Sequence, residues 1–247
     1  MGQRIVLDQI TLVLVRPRFP ENIGSVARAM KNMGLSRLAI VNGASPLHRN
    51  AFKLASGAEE ILERAEEFPD LGEAISGMAC VVGTTCREGK ERTPLLSPGQ
   101  LAKRLAPLSQ RNLIGIVFGS EREGLTNEEL SLCHLFARIP SSESFPSLNL
   151  SHAVAIFCYE LFQWSGTFRR PPPSLATSEQ LERLFSHMEH TLIRIGFLDP
   201  KHPKRMMRTL RRLFGRSKLD EREVRILHGI WSKVDWALEN RRGGGDP

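Results

Sequence analysis

Short runs of apolar, often β-branched residues alternate with stretches of helical periodicity along the first two thirds of the chain. These runs lie at Ile10–Val15, Leu38–Val41, Ala79–Gly83 and Leu113–Gly119. Each run is almost continuously apolar, which is typical of strands that are covered on both faces of a sheet. Because the strands alternate with helical segments, the pattern predicts an α/β fold with a mostly parallel sheet flanked by helices.

Three consecutive prolines end this pattern. The segment Arg169–Ser174 reads Arg-Arg-Pro-Pro-Pro-Ser, and a run of prolines cannot continue a helix. We therefore predict an α/β domain over residues 1–168, a proline-rich linker over 169–176 and a small basic helical domain over 177–247. Helical periodicity in the last domain covers Ser178–Ile195, Pro203–Phe214 and Asp220–Glu239.

Positive charge is concentrated in the C-terminal part of the chain. The net charge is +7; residues 1–170 carry 19 Lys and Arg against 17 Asp and Glu, whereas residues 171–247 carry 15 against 10. In the middle helix of this part, basic residues run beside an apolar face of Met206, Leu210 and Leu213, which predicts an amphipathic basic helix. Such a helix can bind a phosphate backbone, although a merely solvated charged face is the alternative. The predicted RNA-binding residues are Lys204, Arg205, Arg208, Arg211 and Arg212.

The usual nucleotide-binding loops are absent from the sequence. No G-x-G-x-x-G follows the first strand, where the turn Arg16–Pro20 contains two prolines that cannot donate hydrogen bonds to a pyrophosphate. No G-x-x-x-x-G-K-[ST] occurs either. The sequence therefore argues against a nicotinamide-dependent dehydrogenase, a P-loop NTPase and a methyltransferase of the common open-sheet type.

The sequence also favours an intracellular protein without a metal. No apolar run approaches the roughly 18 residues of a membrane span, and no secretory signal is evident, so we predict a cytoplasmic location and no membrane partner. The four cysteines form no C-x-x-C pair, which predicts neither disulfides nor zinc. His187 and His190 are three residues apart but have no evident third ligand, so no metal site is predicted.

Three short motifs carry candidate chemistry. The first, Asn22-x-Gly24-x-x-Ala27-Arg28, opens the helix after the first strand; the second, Gly119–Leu125, follows the fourth strand; the third, Pro146–Ser151, opens a long helix predicted over Leu148–Trp164. Taken singly, each has a purely structural interpretation. Asn22 would be a helix cap and Arg28 a solvated cation, the second motif would be an ordinary connection, and Ser147 or Asn149 would cap the third helix.

In this order and spacing, the three motifs resemble those of the SpoU/TrmH branch of the SPOUT superfamily of RNA 2′-O-methyltransferases, over about residues 10–165. The resemblance implies a C-terminal trefoil knot in the α/β domain, whose loops bind S-adenosylmethionine. It also implies a homodimer in which each active site draws residues from both subunits. The implied reaction is methylation of a ribose 2′-hydroxyl in RNA.

The resemblance also assigns roles to residues. Arg28 becomes the catalytic arginine, and because a guanidinium stays protonated at neutral pH it is expected to act by charge rather than as a proton acceptor. The polar residues that match the family's motifs beside it are Asn22, Glu121, Ser147 and Asn149. The cofactor is expected to rest, mainly on main-chain groups, at Thr84, Thr85, Cys86, Gly119, Ile139, Pro146, Ser147 and Leu148.

The C-terminal part narrows the expected substrate. The segments Gly196–Pro200 and Met206–Phe214 are similar to the extension of family members that methylate the first nucleotide of the tRNA anticodon loop. The first strand begins by about Ile10, which leaves no room for the N-terminal extension of other members. We therefore predict a tRNA substrate modified at cytidine or uridine. A ribosomal RNA 2′-O-methyltransferase of the same family and a non-catalytic RNA-binding protein with this fold remain the alternatives.

Overall fold

The protein is divided into two compact units. The computed structural model describes residues 3–87, 94–168, 174–215 and 217–242. Contacts cluster the chain into one unit of residues 1–173 and a second of residues 174–247. Residues 169–173 of the predicted linker lie outside the described residues.

A seven-stranded parallel sheet forms the centre of the first unit. The strands are β1 Gln3–Arg4, β2 Ile10–Val15, β3 Arg37–Val41, β4 Glu66–Phe68, β5 Cys80–Thr84, β6 Leu95–Leu96, β7 Ile114–Phe118, β8 Leu135–Ala137 and β9 Ser165–Gly166. The order in the sheet is β4-β3-β2-β7-β5-β8-β6, and every neighbouring pair is parallel. A separate antiparallel pair joins β1 to β9.

Seven helices accompany the described strands of the first unit, and three form the second unit. They are α1 Pro20–Asn32, α2 Arg49–Ala55, α3 Glu59–Glu63, α4 Leu71–Ile75, α5 Pro98–Leu108, α6 Asn127–Ser131, α7 Leu150–Gln163, α8 Ser178–Arg194, α9 Pro203–Gly215 and α10 Glu221–Arg242. Many of these helices have a side-chain cap at their N-terminus. Ser97, Thr126 and Thr177 each form a capping box at the start of α5, α6 and α8, so the exposed amides of the first turn have acceptors.

The predicted α/β fold with a helical C-terminal part is confirmed. The four predicted strands correspond to β2, β3, β5 and β7; the bounds of β2 are as predicted, and the ends of the other three differ by at most one residue. The short strands β4, β6 and β8 were not predicted. Each has only two or three residues, too few to show a period in the sequence, and each is recognised only through pairing with its neighbour in the sheet.

The central strands explain why their sequences lack polar positions. All six residues of β2 are buried, as are all five of β7. Val13, Val81 and Val117 pack in one core cluster with Leu71 and Ile75 of α4. A strand covered on both faces buries every side chain, so a continuous apolar run is what the fold requires.

The start of α1 corrects one structural interpretation of the sequence. Asn22 was considered as a cap of this helix, but the helix begins two residues earlier, at Pro20, and Asn22 lies inside its first turn. Proline suits the first helical position because its fixed φ matches the helix and its missing N–H is not needed there. The side chain of Asn22 is therefore free to bind outside the helix.

In the second unit, α8, α9 and α10 enclose a core of their own. Leu184, Met188, Met207 and Val224 are buried in it, and Phe214 packs against them. The predicted apolar face of α9 was wrong at two positions, because Met206 is 44% exposed and Leu213 is 60% exposed. Apolar residues occur in pairs at 206–207 and 213–214, so the sequence is compatible with either of two neighbouring apolar faces of α9. Packing against α8 buries the face that contains Met207.

Candidate functional site

A cleft of about 260 Å³ opens where β5, β7 and β8 end. Parallel strands place their carboxyl ends at one edge of a sheet, the usual position of ligand sites in α/β folds. All eight residues expected to hold the cofactor line this cleft: Thr84, Thr85, Cys86, Gly119, Ile139, Pro146, Ser147 and Leu148. The structure thus brings together residues that are up to 64 positions apart in the sequence.

Several further residues line the cleft although the sequence assigned them no role. Ser120, Arg122, Leu125 and Leu150 lie within the second and third motifs, whereas Arg87, Phe118 and Phe157 lie outside them. Phe118 and Phe157 meet edge to face, with ring centroids 5.4 Å apart. The only sequence signal for such residues is adjacency to a motif, because burial against the cleft depends on packing between distant elements.

The second motif forms a tight turn that makes one wall of the cleft. A Cβ on Gly119 would lie 2.0 Å from the carbonyl carbon of Gly124, so the two backbones could not approach this closely with any other residue there. Gly124 itself has φ of +69°, a conformation that favours glycine. Both glycines of the motif are therefore required by the shape of the turn.

A chain of side-chain hydrogen bonds joins the three motifs. Asn149 Nδ2 donates to Asn22 Oδ1 at 3.0 Å, and Asn22 Nδ2 donates to Glu121 Oε1 at 2.8 Å. The other carboxylate oxygen of Glu121 accepts from the main-chain N–H of Arg18 at 3.0 Å. Since Asn22 uses both ends of its amide, its orientation is fixed. The three segments, which are distant in sequence, are thereby held in fixed positions relative to one another.

Asn149 has a second role at the start of α7. Its Oδ1 accepts from the main-chain N–H groups of Ser151 and His152, so Asn149 caps this helix as predicted. The other residue considered as a cap, Ser147, is exposed and lines the cleft instead. The cap and the bond to Asn22 use opposite ends of the same amide.

Arg28 is placed apart from the cleft of its own chain. It is exposed on α1, and its side chain makes no hydrogen bond or ion pair with the described residues. Asn22 and Arg28 are six residues apart, which puts them about 120° apart around the helix. The fold of a single chain therefore unites Asn22, Glu121 and Asn149 but leaves the predicted catalytic arginine outside.

The buried titratable groups near the sheet are structural. Burial lowers the pKa of His134 to about 4, and its neutral ring accepts from the main-chain N–H of Val81 at 3.0 Å. Burial raises the pKa of the Cys158 thiol to about 12 and raises that of Cys133 as well, so both thiols stay protonated and unreactive. The exposed Cys86 lines the cleft.

Among the described residues, no group of three or more His, Cys, Asp or Glu side chains is placed to hold a metal ion. The same residues include no helix that is both long and apolar enough to span a membrane.

The predicted RNA-binding residues of α9 fall into two groups. Lys204 and Arg205 are exposed, whereas Arg208, Arg211 and Arg212 are half-buried. The guanidinium of Arg211 pairs with Glu182 of α8 and lies 4.7 Å from the ring centroid of Phe185. Arg211 is therefore already engaged in holding α9 on α8, and the exposed positive charge of this helix is at Lys204 and Arg205.

Comparisons with known proteins agree with this architecture. A model of the SpoU rRNA Methylase family matches residues 9–159, and a model of the tRNA methyltransferase TrmJ C-terminal domain matches residues 179–243. The tRNA (cytidine/uridine/adenosine-2′-O-)-methyltransferase TrmJ of Pseudomonas aeruginosa is 43% identical over 243 residues, which cover 93% of this chain and 95% of that protein.

Solved structures show the same similarity. The crystal structure of TrmJ from Z. mobilis matches with a TM-score of 0.81 and 33% identity, over 91% of this chain and 98% of that one. The SpoU methyltransferase AviRb from Streptomyces viridochromogenes, in complex with AdoMet, shares the fold with a TM-score of 0.51 and 21% identity, over 66% of this chain and 61% of its own.

Proposed function

The chain belongs to the SpoU methylase family, and from this we propose that it methylates ribose 2′-hydroxyl groups of tRNA with S-adenosylmethionine as methyl donor. Within tRNA, we propose cytidine or uridine at the first nucleotide of the anticodon loop as the target. The observation that carries the proposal is the hydrogen-bond network that joins all three motifs, in which Asn22 bonds to Asn149 and to Glu121, a residue that lines the cleft.

The chemistry of the cleft suits S-adenosylmethionine. Small-molecule sites combine apolar walls with a few placed polar groups, and here Leu125, Ile139 and Phe157 supply apolar surface. The turn at Gly119 and the loop at Thr84–Cys86 offer main-chain groups, and the lining includes both acidic residues, Glu121 and Glu123, and basic ones, Arg87 and Arg122, which suits a ligand that carries charges of both signs. When bound there, S-adenosylmethionine supplies a methyl group activated by a sulfonium.

We propose that Arg28 activates the ribose hydroxyl by its charge. A positive guanidinium beside the 2′-oxygen stabilises negative charge as the proton leaves, which makes the oxygen a better nucleophile. The amide of Asn22, held by Glu121 and Asn149, then orients the ribose and keeps the reacting oxygen in line. The proton passes to a phosphate oxygen of the substrate or to water, so no side chain has to accept it.

We propose that the enzyme is a homodimer in which Arg28 serves the cleft of the partner. The helix α7 contains a single charged residue, Glu160, yet its Tyr159 is 50% exposed and its Phe162 is 45% exposed. Large apolar side chains exposed near one another on a helix often mark a surface that a partner covers. Since α7 packs against α1, which carries Arg28, a second copy that covers this face would bring Arg28 near another cleft.

Three further expectations accompany this assignment. Family membership leads us to propose a trefoil knot in the first unit and the cytoplasm as the location, since tRNA is modified there. The exposed Lys204 and Arg205 support the proposal that the second unit binds tRNA phosphates. Retention of Asn22, Glu121 and Asn149 in one network supports an active enzyme over a non-catalytic RNA-binding protein.

The decisive experiment is methyl transfer to tRNA. Purified protein, tRNA from cells that lack it and labelled S-adenosylmethionine should give label in tRNA, and mass spectrometry should place it on a ribose 2′-oxygen. Arg28→Ala should abolish transfer, because the charge that activates the hydroxyl is lost, while binding of S-adenosylmethionine persists. Methyl groups found only on bases would disprove the assignment, and preferential labelling of ribosomal RNA would favour the other substrate class.

A further inference from the structure

Arg16 lies at the end of β2, outside the three motifs. Both terminal nitrogens of its guanidinium bond to the carboxylate of Glu129 in α6, and Nη2 also lies 3.4 Å from the carbonyl oxygen of Gly124. The Glu129 side chain is only 14% exposed and that of Arg16 is 32% exposed. A forked arginine–carboxylate pair of this kind is strong and fixes the relative orientation of its partners.

The backbone of Arg16 is held in an uncommon conformation. Its φ is +50°, which residues with a side chain rarely adopt, while its N–H donates to the carbonyl of Val41 at 2.8 Å. Such conformations persist where surrounding contacts hold them, and they occur often at functional sites. Here the conformation accompanies a guanidinium that reaches the turn Gly119–Leu125.

Glu129 fastens the other side of the same contact. Its Oε2 accepts from the N–H of Thr126 at 2.7 Å, so the carboxylate caps α6 while it binds Arg16. Burial raises the pKa of the Glu129 carboxyl, but the hydrogen bonds from Arg16 and Thr126 outweigh burial and hold the pKa below its ordinary value. The carboxylate therefore stays ionised, as the pair requires.

The turn Gly119–Leu125 is thus tied to the segment Arg16–Asn22 at two places. Arg16 holds its C-terminal end at Gly124, and Glu121 holds its middle through the N–H of Arg18 and the amide of Asn22. This turn lines the cleft, whereas Arg16 does not. A change at Arg16 would therefore reach a bound ligand only through the turn.

We propose that Arg16 is a positioning residue for the methyl donor, which holds the turn Gly119–Leu125 in its binding shape through Glu129 and Gly124. The inference rests on the proposed function of the cleft. Without the guanidinium, the turn is in its binding shape in only a fraction of the molecules, and the ligand must order it in the rest. The apparent affinity for the ligand is then the intrinsic affinity multiplied by that fraction.

Calorimetric binding of S-adenosylmethionine to the full-length protein tests this role. Arg16→Met keeps the length of the side chain but removes its charge and hydrogen bonds, and it should weaken binding by about tenfold. Arg37→Met is a matched control, because Arg37 is an exposed arginine at the start of β3 and does not line the cleft. Its affinity should equal that of the wild type.

Kinetics distinguish positioning from general loss of stability. For Arg16→Met, KM for S-adenosylmethionine should rise about tenfold while kcat at saturation changes far less, because the reacting groups are untouched. Hydrogen exchange of the main chain should increase at residues 119–125 and not across β3. Glu129→Gln should have a similar effect, and combining it with Arg16→Met should add little, since both remove one contact.

Arg16→Lys provides a second variant that keeps the charge but not the fork. It should bind with intermediate affinity, since a lysine cannot hold Glu129 and Gly124 together. Wild-type affinity in either Arg16 variant would overturn the inference while leaving the proposed function intact. A wild-type protein that binds no S-adenosylmethionine would overturn both, and equal changes in the Arg37 control would also refute a specific role for Arg16.

Discussion

Gly24 shows how a single residue of the first motif is constrained by packing rather than by a ligand. A Cβ at this position would lie 2.0 Å from the carbonyl oxygen of Ala51, so only glycine allows α1 to approach α2 this closely. A glycine near the start of a helix can make room for a ligand or for a neighbouring segment of protein. The structure shows that the neighbour is a helix of the same unit.

Replacement of two helical glycines by alanine should therefore have opposite effects on stability. Gly24→Ala should lower the free energy of unfolding by about 2 kcal/mol or more, because backbone atoms of α2 must move away. Gly229→Ala in α10, where a Cβ meets nothing within 4 Å, should raise it by about 0.5–1 kcal/mol through helix propensity. Urea unfolding followed by circular dichroism measures both, and equal effects would contradict the packing account.

At the scale of elements, α8 and α10 are joined by a cluster of polar side chains. His187 Nδ1 lies 3.1 Å from His228 Nδ1, and His187 Nε2 lies 3.0 Å from a carboxylate oxygen of Asp235. Asp235 also accepts from Thr191 and Arg194, and Arg194 reaches Glu239 at 3.5 Å. Two imidazoles in this contact cannot both carry a proton on the facing nitrogens.

This cluster predicts a loss of stability in mild acid. Burial and the neighbouring His187 lower the pKa of His228 below 6.5, so the unfolded chain binds this proton more readily than the folded chain. The contribution to stability is therefore complete above about pH 6.5 and falls as the pH drops through that value. Burial raises the pKa of Asp235, but its bonds to His187 and Thr191 lower it overall, so its contribution is lost only below about pH 4.

Unfolding of the wild type and of His228→Gln should be compared between pH 7.5 and 5.5. The variant should lose less stability over this range, because it has no proton to bind at this position. Histidine resonances in NMR titrations provide an independent measure of the pKa of His228. Parallel pH profiles for the two proteins would show that the cluster does not control stability.

Substitutions in the basic helix α9 should distinguish the residues that bind RNA from those that pack the helix. Joint replacement of the exposed Lys204 and Arg205 by alanine should weaken tRNA binding and lower the slope of log affinity against log salt by about 2, without loss of stability. Arg211→Met should instead destabilise the second unit, because it removes the contacts with Glu182 and Phe185. Filter binding at several salt concentrations tests this; an unchanged slope in the double variant would assign the RNA contacts elsewhere.

At the scale of the whole molecule, the position of Arg28 links the oligomeric state of the protein to its catalytic activity. The cleft and the Asn22 network form within one chain, but Arg28 lies outside the cleft. If the partner supplies this arginine, neither chain alone has a complete site. The exposed apolar face of α7 then has a functional as well as a structural reason to be covered.

Mixed dimers test this arrangement. Arg28→Ala and Gly119→Ala should each be inactive, the second because its Cβ would collide with Gly124 and distort the cleft. Refolded together in equal amounts, they should recover about one quarter of wild-type activity, since half of the dimers would contain one site with both intact parts. No recovery in verified mixed dimers would place Arg28 and the cleft of one chain in the same site.

The sequence by itself determined the elements with a strong period and the motifs at their ends. Strands such as β2 and β7 are long, buried and continuously apolar, so their pattern is local and sufficient. Thr84 and Gly119 lie at the ends of such strands, and the parallel topology predicts that they share one edge, whereas Ile139 and Pro146–Leu148 were expected at the cofactor only from the resemblance to the family. These features depend on neighbours in the chain, or on the resemblance that their order and spacing reveal.

Only the tertiary structure decided which side chains meet. Arg16 and Glu129 are 113 positions apart, and no periodicity connects them. The same holds for Asn22 and Asn149, 127 positions apart, and for the choice of Met207 over Met206 as the buried face of α9. Such contacts are selected by packing of the whole unit, because hydrogen bonds and apolar burial form between any partners that the chain topology brings together.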